Sequence, residues 1–455
     1  FSKPKGTGAQ LEGGGEGETM AEDGLITCYK GGLVLKGGSL VQKDIWVRAG
    51  RVVEPQELFF RDRRAPSFYF DCSNHIVAPG FIDVQINGGF GVDFSKLRPG
   101  GVAEGVASVA RGLLEHGVTA FCPTIITSGA DYYASILPEM RVSEGGSHGA
   151  AVLGVHVEGP FISREKKGAH PEQFIQSLLS PGAVVRTYGC LDNVRVVTLA
   201  PELEGAQHTI RWLSRKKGVV VSLGHSMADL TTAEHAVNSG ASLITHLFNA
   251  MLPFHHRDPG IVGLLTSQSV GDAPVYYSLI VDGNHTHETV QRIAHKAHPE
   301  GLEFGSLPVK TCVVLVTDAM AGMGVRSGDV RGGQEESRFS LGEGGRVEVS
   351  GGAVRLAGTS TLAGSVATMD ECVRHFRRAT ACTEAVALEA ASLHPARVLG
   401  LEDSRGQLEK GARADIVVLD RDLNVQGTFI AGHPVWSLPG SRMHREQQRF
   451  SNLHT

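Results

Sequence analysis

The sequence of 455 residues lacks several features that would each define a class of protein. It has no apolar run of about 18 residues, which excludes a predicted transmembrane helix. Its seven cysteines are scattered and form no C-x-x-C pair, so a disulfide framework is not expected and a reducing compartment is favoured. The net charge is only -5 and like charges do not accumulate in blocks, so we expect neither nucleic acid nor a membrane as a partner.

The first 24 residues are rich in glycine and polar side chains and lack the apolar core of a signal peptide. Such a segment buries too little surface to order itself, so residues 1–24 are predicted to be a flexible extension. Together with the cysteine usage, this composition predicts a cytoplasmic protein.

The pattern of apolar residues in the sequence changes near residue 79. Residues 25–78 alternate short apolar runs with glycine and charged turns, which is typical of a small β domain. In residues 79–400 short apolar runs alternate with helical patterns, and eight such strands predict a (β/α)8 TIM-like barrel of the α/β class. The predicted strands are 80–85, 118–122, 151–157, 195–199, 219–223, 242–246, 276–281 and 313–317.

The end of the chain returns to short strands. Residues 401–440 are therefore expected to pair with residues 25–78 in one small second domain, followed by a flexible tail over 441–455. Before that, residues 384–398 carry the pattern of one helix. Residues 325–358 are glycine-rich and charged, which indicates a long excursion after the last barrel strand.

Acidic and histidine residues occur at five of the eight predicted strand ends. Active sites of such barrels lie at the carboxyl ends of the strands, where these side chains would meet. The chain has 20 histidines, and a single one is usually structural. These residues therefore indicate an active site only when they are taken together. The residues are His156 and Glu158, His225, His246 with Asn249, Asp282 with His285, and Asp318.

One glutamate and two histidines form the ligand pattern of a catalytic zinc, with a fourth position left for water. Glu158, His225 and His246 fit this pattern, and such a metal would activate water and polarise a carbonyl. Asp318 would then be the general base that takes the proton of the water. The alternative is that Asp318 caps a helix beginning in residues 319–324.

The first predicted strand ends in Gln85 and Asn87, where many barrel hydrolases carry His-x-His. Amide side chains bind such cations less well than imidazoles, so we expect one metal rather than two. In that view Gln85 and Asn87 are a vestigial metal subsite. The alternative is a hydrogen-bonded strand end with no part in catalysis.

Nine motifs in order closely resemble the N-acetylglucosamine-6-phosphate deacetylase family of the amidohydrolase superfamily, over roughly residues 25–440. They are PGFIDVQINGGFG, HVEGPF, KGAHP, LGHS, THLFNAM, HHRDPG, DGNH, VTDA and LAGS. The resemblance implies that both chain ends form a β-sandwich beside the barrel. It implies hydrolysis of N-acetyl-D-glucosamine 6-phosphate to D-glucosamine 6-phosphate and acetate in amino-sugar catabolism. It also implies one divalent metal ion per subunit, with zinc expected, held by Glu158, His225 and His246 beside the acid/base Asp318.

The same resemblance implies substrate contacts. His170 would lie by the acetamide and take part in catalysis, and Arg257 would be the main phosphate clamp, because a guanidinium binds phosphate through two hydrogen bonds. The alternatives are a loop histidine before Pro171 and a surface arginine. Further implied contacts are Ala169, Asn249, Ala250, Asp282, Gly283, Asn284, His285, Leu362, Ala363 and Gly364. Family members take phosphate contacts from a neighbouring subunit, which implies a homodimer.

Two other functions stay open from the sequence. One is an amidohydrolase acting on another N-acyl sugar, a cyclic amide or a nucleobase. The other is a non-catalytic barrel that serves in assembly. One departure from the family pattern also matters, because the segment EFGSLPVKTCVVL at 303–315 is longer than expected and would displace Asp318 if it shifted the last strand.

Overall fold

The computed structural model describes residues 24–61, 63–177, 179–270, 274–297, 302–304, 307–309, 313–325, 339–343, 346–350 and 353–453. Of the predicted flexible extension at 1–24, all but Gly24 lies outside the described residues.

A parallel barrel forms the larger part of the molecule and confirms the predicted fold class. Its strands pair in chain order, for example through Glu158 and Thr198 or through Leu279 and Leu315. They are mostly apolar and mostly buried, because one face meets the barrel interior and the other meets the helices. The eight strands are Phe81–Ile86, Val118–Ile126, Val155–Glu158, Val194–Leu199, Val220–Leu223, Ala241–Ile244, Tyr276–Ile280 and Val313–Val316.

Helices follow the strands and cover the barrel. Leu230–Ser239 is typical: the Asp229 carboxylate accepts from the Thr232 N–H at its start, and Gly240 ends it at a φ of 120°. Among the helices in the described part of the chain, none has the length and apolar character that a membrane crossing needs. The barrel helices are Val102–Leu113, Ala130–Ile136, Pro181–Tyr188, Ala206–Lys217, Leu230–Ser239, Glu288–Ala297, Met369–Thr380, Glu384–Ala390 and Leu393–Val398.

The last two of these helices differ from the prediction of one helix over 384–398. The chain instead forms Glu384–Ala390 and Leu393–Val398, separated by a turn. Pro395 has no N–H to bond to the preceding turn, but it is tolerated in the first turn of a new helix. The break therefore lies just before the proline.

Both chain ends build a second domain of two sheets. One sheet has the order Arg51–Val53, Ile45–Arg48, Ile26–Lys30, Phe68–Asp71. The other has the order His433–Ser437, Val425–Ile430, Ile416–Leu419, Ile76–Pro79, Leu33–Lys36, Ser39–Gln42. Aromatic rings fill the space between them, with Tyr29 5.0 Å from both Phe70 and Phe429. Ile76–Pro79 leads into the first barrel strand after Gly80, so this domain fixes where that strand begins.

The predicted flexible tail at 441–455 is wrong for most of its length, because Arg442–Ser451 is a helix. The Ser441 hydroxyl accepts from the His444 N–H at 3.0 Å and caps its start. Met443 and Phe450 are buried, and the ring of Phe450 lies 5.3 Å from that of Phe68. This short, strongly polar helix is held by its contacts with the aromatic core rather than by its own propensity.

The excursion after the last barrel strand contains a small antiparallel sheet, Phe339–Ser340, Arg346–Ser350 and Ala353–Leu356. Before that strand, Leu302–Phe304 pairs with Leu307–Val309. The described residues of the long segment at 303–315 thus include most of this strand pair, and the eighth strand still pairs with the seventh.

Candidate active site

Three of the candidate residues follow barrel strands in the left-handed backbone conformation. The φ values are 49° for His225, 31° for His246 and 47° for Asp318. Residues other than glycine rarely adopt this backbone conformation. It costs roughly 1–3 kcal/mol per residue and persists only where neighbouring residues enforce it. Here the Asp318 N–H donates to the Gln85 carbonyl at 2.9 Å, and the His246 N–H donates to the Ser278 hydroxyl at 2.7 Å.

Glu158, His225 and His246 bring three ligand atoms together in a buried cluster. The Nε2 atoms of the two histidines lie 3.1 Å apart, and Glu158 Oε1 lies 3.2 Å from the first and 3.0 Å from the second. Ligand atoms about 2.0–2.1 Å from a tetrahedral zinc ion lie about 3.3–3.4 Å from one another. The three side chains therefore fit a divalent cation bound between them.

Hydrogen bonds around the cluster leave lone pairs of its ligand atoms directed at the space between the three side chains. His225 Nδ1 donates to the Lys166 carbonyl at 2.8 Å, which leaves its Nε2 without a proton when the ring is neutral. Burial alone would raise the pKa of Glu158, but the neighbouring His225 and His246 side chains outweigh it and hold this pKa well below its usual range. The carboxylate is thus ionised, as a ligand must be.

Gln85 and Asn87 both point amide N–H groups at Asp318. Oδ1 of Asp318 accepts from Gln85 Nε2 at 3.2 Å and from Asn87 Nδ2 at 2.8 Å, and Gln85 Nε2 also lies 3.0 Å from Glu158 Oε1. Hydrogen-bond donors occupy the place where a second cation would need lone pairs, which favours a single-metal site. Burial, together with the charge of Glu158, raises the pKa of Asp318 to about 7.

Asp318 does not cap a helix, because the described residues 319–325 contain a turn at 321–324 and no helix. Its backbone carbonyl instead accepts from the Ser365 N–H at 3.0 Å. This contact brings the 362–364 segment against the site, where a Cβ on Gly364 (φ 74°) would lie 3.0 Å from the Asp318 carbonyl oxygen. Ala363 is buried and Leu362 is half-buried in the same segment.

His170 lies beside the cluster and is buried. Its Nδ1 is 2.8 Å from the Thr127 hydroxyl and accepts from the Thr127 N–H at 3.4 Å, so the proton of the neutral ring sits on Nε2. That Nε2 is 3.9 Å from Glu158 Oε2. Burial and the neighbouring His225 lower the pKa of His170 to about 3, so the ring is a neutral donor. Ala169, next to it, is buried too.

The predicted substrate contacts after the sixth and seventh strands form two groups. Asp282 and His285 follow the seventh strand, and their side chains pair at 2.8 Å, with the Asp282 carboxylate also accepting from the N–H groups of Asn284 and His285. Gly283 (φ 81°) makes the turn between them. His285 and the surrounding hydrogen bonds overcome the effect of burial and lower the pKa of Asp282 to about 2.

The second group follows the sixth strand. Asn249 Nδ2 is buried and has no hydrogen-bond partner among the described residues, which is typical of a group awaiting a ligand. Ala250 is half-buried beside it. Arg257 lies on an exposed loop, where its guanidinium contacts the His256 ring at 3.3 Å.

A polar layer beneath the cluster was not predicted from the sequence. His156 Nδ1 donates to the Val84 carbonyl at 3.0 Å, and its Nε2 is 2.7 Å from the Thr198 hydroxyl. The layer continues from Thr198 to Thr245 and on to Ser222. Three of its members precede the proposed ligands by one to three positions, and Thr198 joins them from the fourth strand, so the ligand strands are tied together just below the site.

Comparisons with known proteins agree with this geometry. The amidohydrolase family profile matches residues 76–435. The N-acetylglucosamine-6-phosphate deacetylase of Bos taurus is 53% identical over 432 residues, covering 94% of this chain and 99% of that protein. The Homo sapiens enzyme of that name is 53% identical over 429 residues, with the same two shares covered. A variant of the Mycobacterium smegmatis deacetylase, solved in complex with N-acetyl-D-glucosamine-6-phosphate, is 30% identical with a TM-score of 0.73, covering 91% of this chain and 99% of that one. This chain therefore belongs to the amidohydrolase family and, within it, to the N-acetylglucosamine-6-phosphate deacetylases.

Proposed function

We propose that this protein hydrolyses the acetamide of N-acetyl-D-glucosamine 6-phosphate, giving D-glucosamine 6-phosphate and acetate in amino-sugar catabolism. The observation that carries the proposal is the convergence of Glu158, His225 and His246, with ligand atoms within 3.2 Å of one another, beside a buried Asp318. The family assignment supplies the substrate class.

Glu158, His225 and His246 would hold one divalent metal ion, with zinc as the proposed ion because the ligands are one carboxylate and two imidazoles. When bound, such an ion lowers the pKa of a water molecule and polarises the acetamide carbonyl. His170 lies close enough to offer a further nitrogen, and its ligand atom lies within 4.8 Å of those of Glu158 and His225. We assign the third position to His246, whose Nε2 is 3.0 Å from Glu158 Oε1.

Asp318 is the proposed acid/base residue. Gln85 and Asn87 hold its Oδ1, so Oδ2 is left to take a proton from water. The protonated carboxyl then donates to the nitrogen as the C–N bond breaks. Burial and the charge of Glu158 raise the pKa of Asp318, which favours proton uptake by this carboxylate.

His170 is proposed as a donor to the acetamide oxygen. Its Nε2 carries the proton, since Nδ1 accepts from Thr127. A neutral donor aimed at the oxygen stabilises the negative charge that develops there in the transition state.

The phosphate would be anchored by Arg257, His285 and Asn249, with Ala250, Gly283 and Asn284 beside them. Ala169 and Leu362–Gly364 would line the sugar. Anchoring one end of the substrate in this way aligns its acetamide with Asp318.

We propose a homodimer in which Arg257 reaches the phosphate of a neighbouring subunit. Arg257 is exposed in this chain, and Phe254 on the same loop is 66% exposed, which suits a surface covered by a partner. We also propose a cytoplasmic location, supported by cysteines that are scattered singly and form no C-x-x-C pair.

Acetate release tests the proposal. Purified protein would be incubated with N-acetylglucosamine 6-phosphate, with its 4-epimer and with unphosphorylated N-acetylglucosamine, and metal content would be measured on the same sample. Fast release from the first compound with about one metal per chain is expected. A folded, metal-loaded protein that leaves this compound intact would refute the assignment.

A further inference from the structure

The barrel has a seam between its first and eighth strands. Within the described residues the eighth strand forms a ladder only with the seventh, and the first only with the second. Beyond the strand ends, single backbone bonds cross the seam, such as the Asn87 N–H to the Ala319 carbonyl at 2.7 Å. Side-chain hydrogen bonds also cross the seam beside these backbone bonds.

Asp83 lies at this seam, fully buried in the first strand. Its Oδ2 accepts from the Thr317 hydroxyl at 2.6 Å, and its Oδ1 accepts from the N–H groups of Gln85 at 3.2 Å and Thr317 at 3.4 Å. The same hydroxyl accepts from the Ala319 N–H at 3.1 Å. One carboxylate thus ties the backbone just before Gln85 to the backbone on both sides of Asp318.

We propose that Asp83 and Thr317 are positioning residues that hold Asp318 against Gln85 and Asn87 by bridging the seam of the barrel. The inference rests on the proposed function of Asp318 as acid/base. Asp318 has a strained backbone with a φ of 47°, so it needs fixed neighbours on each side. Thr317 supplies one and Gln85 the other, and Asp83 bonds to both.

Substitutions at Thr317 give the cleanest test. Thr317→Val keeps the shape of the side chain but removes the bridging hydroxyl, whereas Thr317→Ser retains it. We expect Thr317→Val to lower kcat by about 10- to 100-fold, with the KM for the phosphosugar and the metal content unchanged. Thr317→Ser should recover most of the wild-type kcat.

Thr428→Val is the matched control. Thr428 is also fully buried, and its hydroxyl donates to the Leu114 carbonyl at 2.7 Å, but it lies in the sandwich domain. It should destabilise the fold and leave kcat unchanged. If Thr317→Val lowers kcat no more than Thr428→Val does, or if Thr317→Ser loses as much as Thr317→Val, the positioning role is refuted.

Asp83→Asn completes the test through a double-mutant cycle. Because both side chains make one bridge, the losses of kcat from Asp83→Asn and Thr317→Val should not add in the double variant; additive losses would overturn the proposal.

Hydrogen exchange of the peptide around Asp318 gives a measurement that needs no substrate. It should become faster in both variants and not in Thr428→Val. A wild-type protein that releases no acetate would refute only the proposed function. The bridge would still be tested by hydrogen exchange around Asp318: unchanged exchange in the two variants would refute it, and faster exchange would support it.

Discussion

Asp370, at the start of the Met369–Thr380 helix, should make a measurable pH-dependent contribution to stability. Its carboxylate pairs with His116 Nδ1 at 3.1 Å and with Arg374 at 2.8 Å, and it accepts from the Thr368 hydroxyl at 2.6 Å. Burial opposes ionisation, but these partners outweigh it and lower the pKa of Asp370 from 3.8 to about 2. Each pKa unit corresponds to about 1.4 kcal/mol, so the charged carboxylate stabilises the fold by about 2 kcal/mol.

The sign follows from linkage. Because the pKa is lower in the folded state, the unfolded state binds the proton more readily, and the stabilisation is present above the unfolded pKa of 3.8. It is lost as the pH falls from about 5 towards 2. The neutral Asp370→Asn variant should therefore lose about 2 kcal/mol of unfolding free energy at pH 7 and progressively less below pH 4.

Denaturant unfolding at pH 7 and pH 3 measures both effects. Asp403→Asn is the control, since Asp403 is exposed and its loss of charge tests the general effect of net charge. A difference between wild type and Asp370→Asn that is the same at both pH values would refute the electrostatic account, as would a difference at pH 7 no larger than that of the control.

The remaining predictions concern the proposed reaction. Asp318→Asn keeps the oxygen that Gln85 and Asn87 hold but cannot take a proton, so kcat should fall by about 10²- to 10⁴-fold with metal content retained; normal turnover would exclude the role. Arg257→Ala should raise the KM for N-acetylglucosamine 6-phosphate far more than that for N-acetylglucosamine, and an equal rise for both would rule out a phosphate clamp. Dialysis against a chelator should abolish acetate release and lower the thermal midpoint, both restored by zinc, because a buried ion stabilises only the folded state. A thermal midpoint that the chelator does not change would contradict a buried metal at Glu158.

The barrel could be predicted from the sequence because its strands and helices have different hydrophobic periods. For example, the strand predicted at 276–281 is Tyr276–Ile280 in the structure. The helix Arg442–Ser451 was missed because Met443 and Phe450 are buried in a mostly polar segment. Their partners, such as Phe68, lie at the other end of the chain, and no local pattern records that contact.

The approach of Glu158, His225 and His246 could be predicted because parallel strands bring their carboxyl ends to one mouth. Their roles, like that of Asp318, remain predictions. Asp83 was overlooked, although strand alternation places it on the same face as Gln85. Its partner Thr317 is 234 positions away, and such a pairing has no signal within the first strand itself.

The second domain also sets an order of events during synthesis. The Tyr29 hydroxyl donates to the Gly432 carbonyl, 403 positions later, and strand Ile76–Pro79 pairs with Ile416–Leu419. At ribosomal rates of 5–20 residues per second, the early half of this domain waits roughly 20–80 s for its complement. During that time its sheet edges and the aromatic face around Phe70 are uncovered. Until the last strands arrive, these edges and this apolar face are open to pairing with other chains.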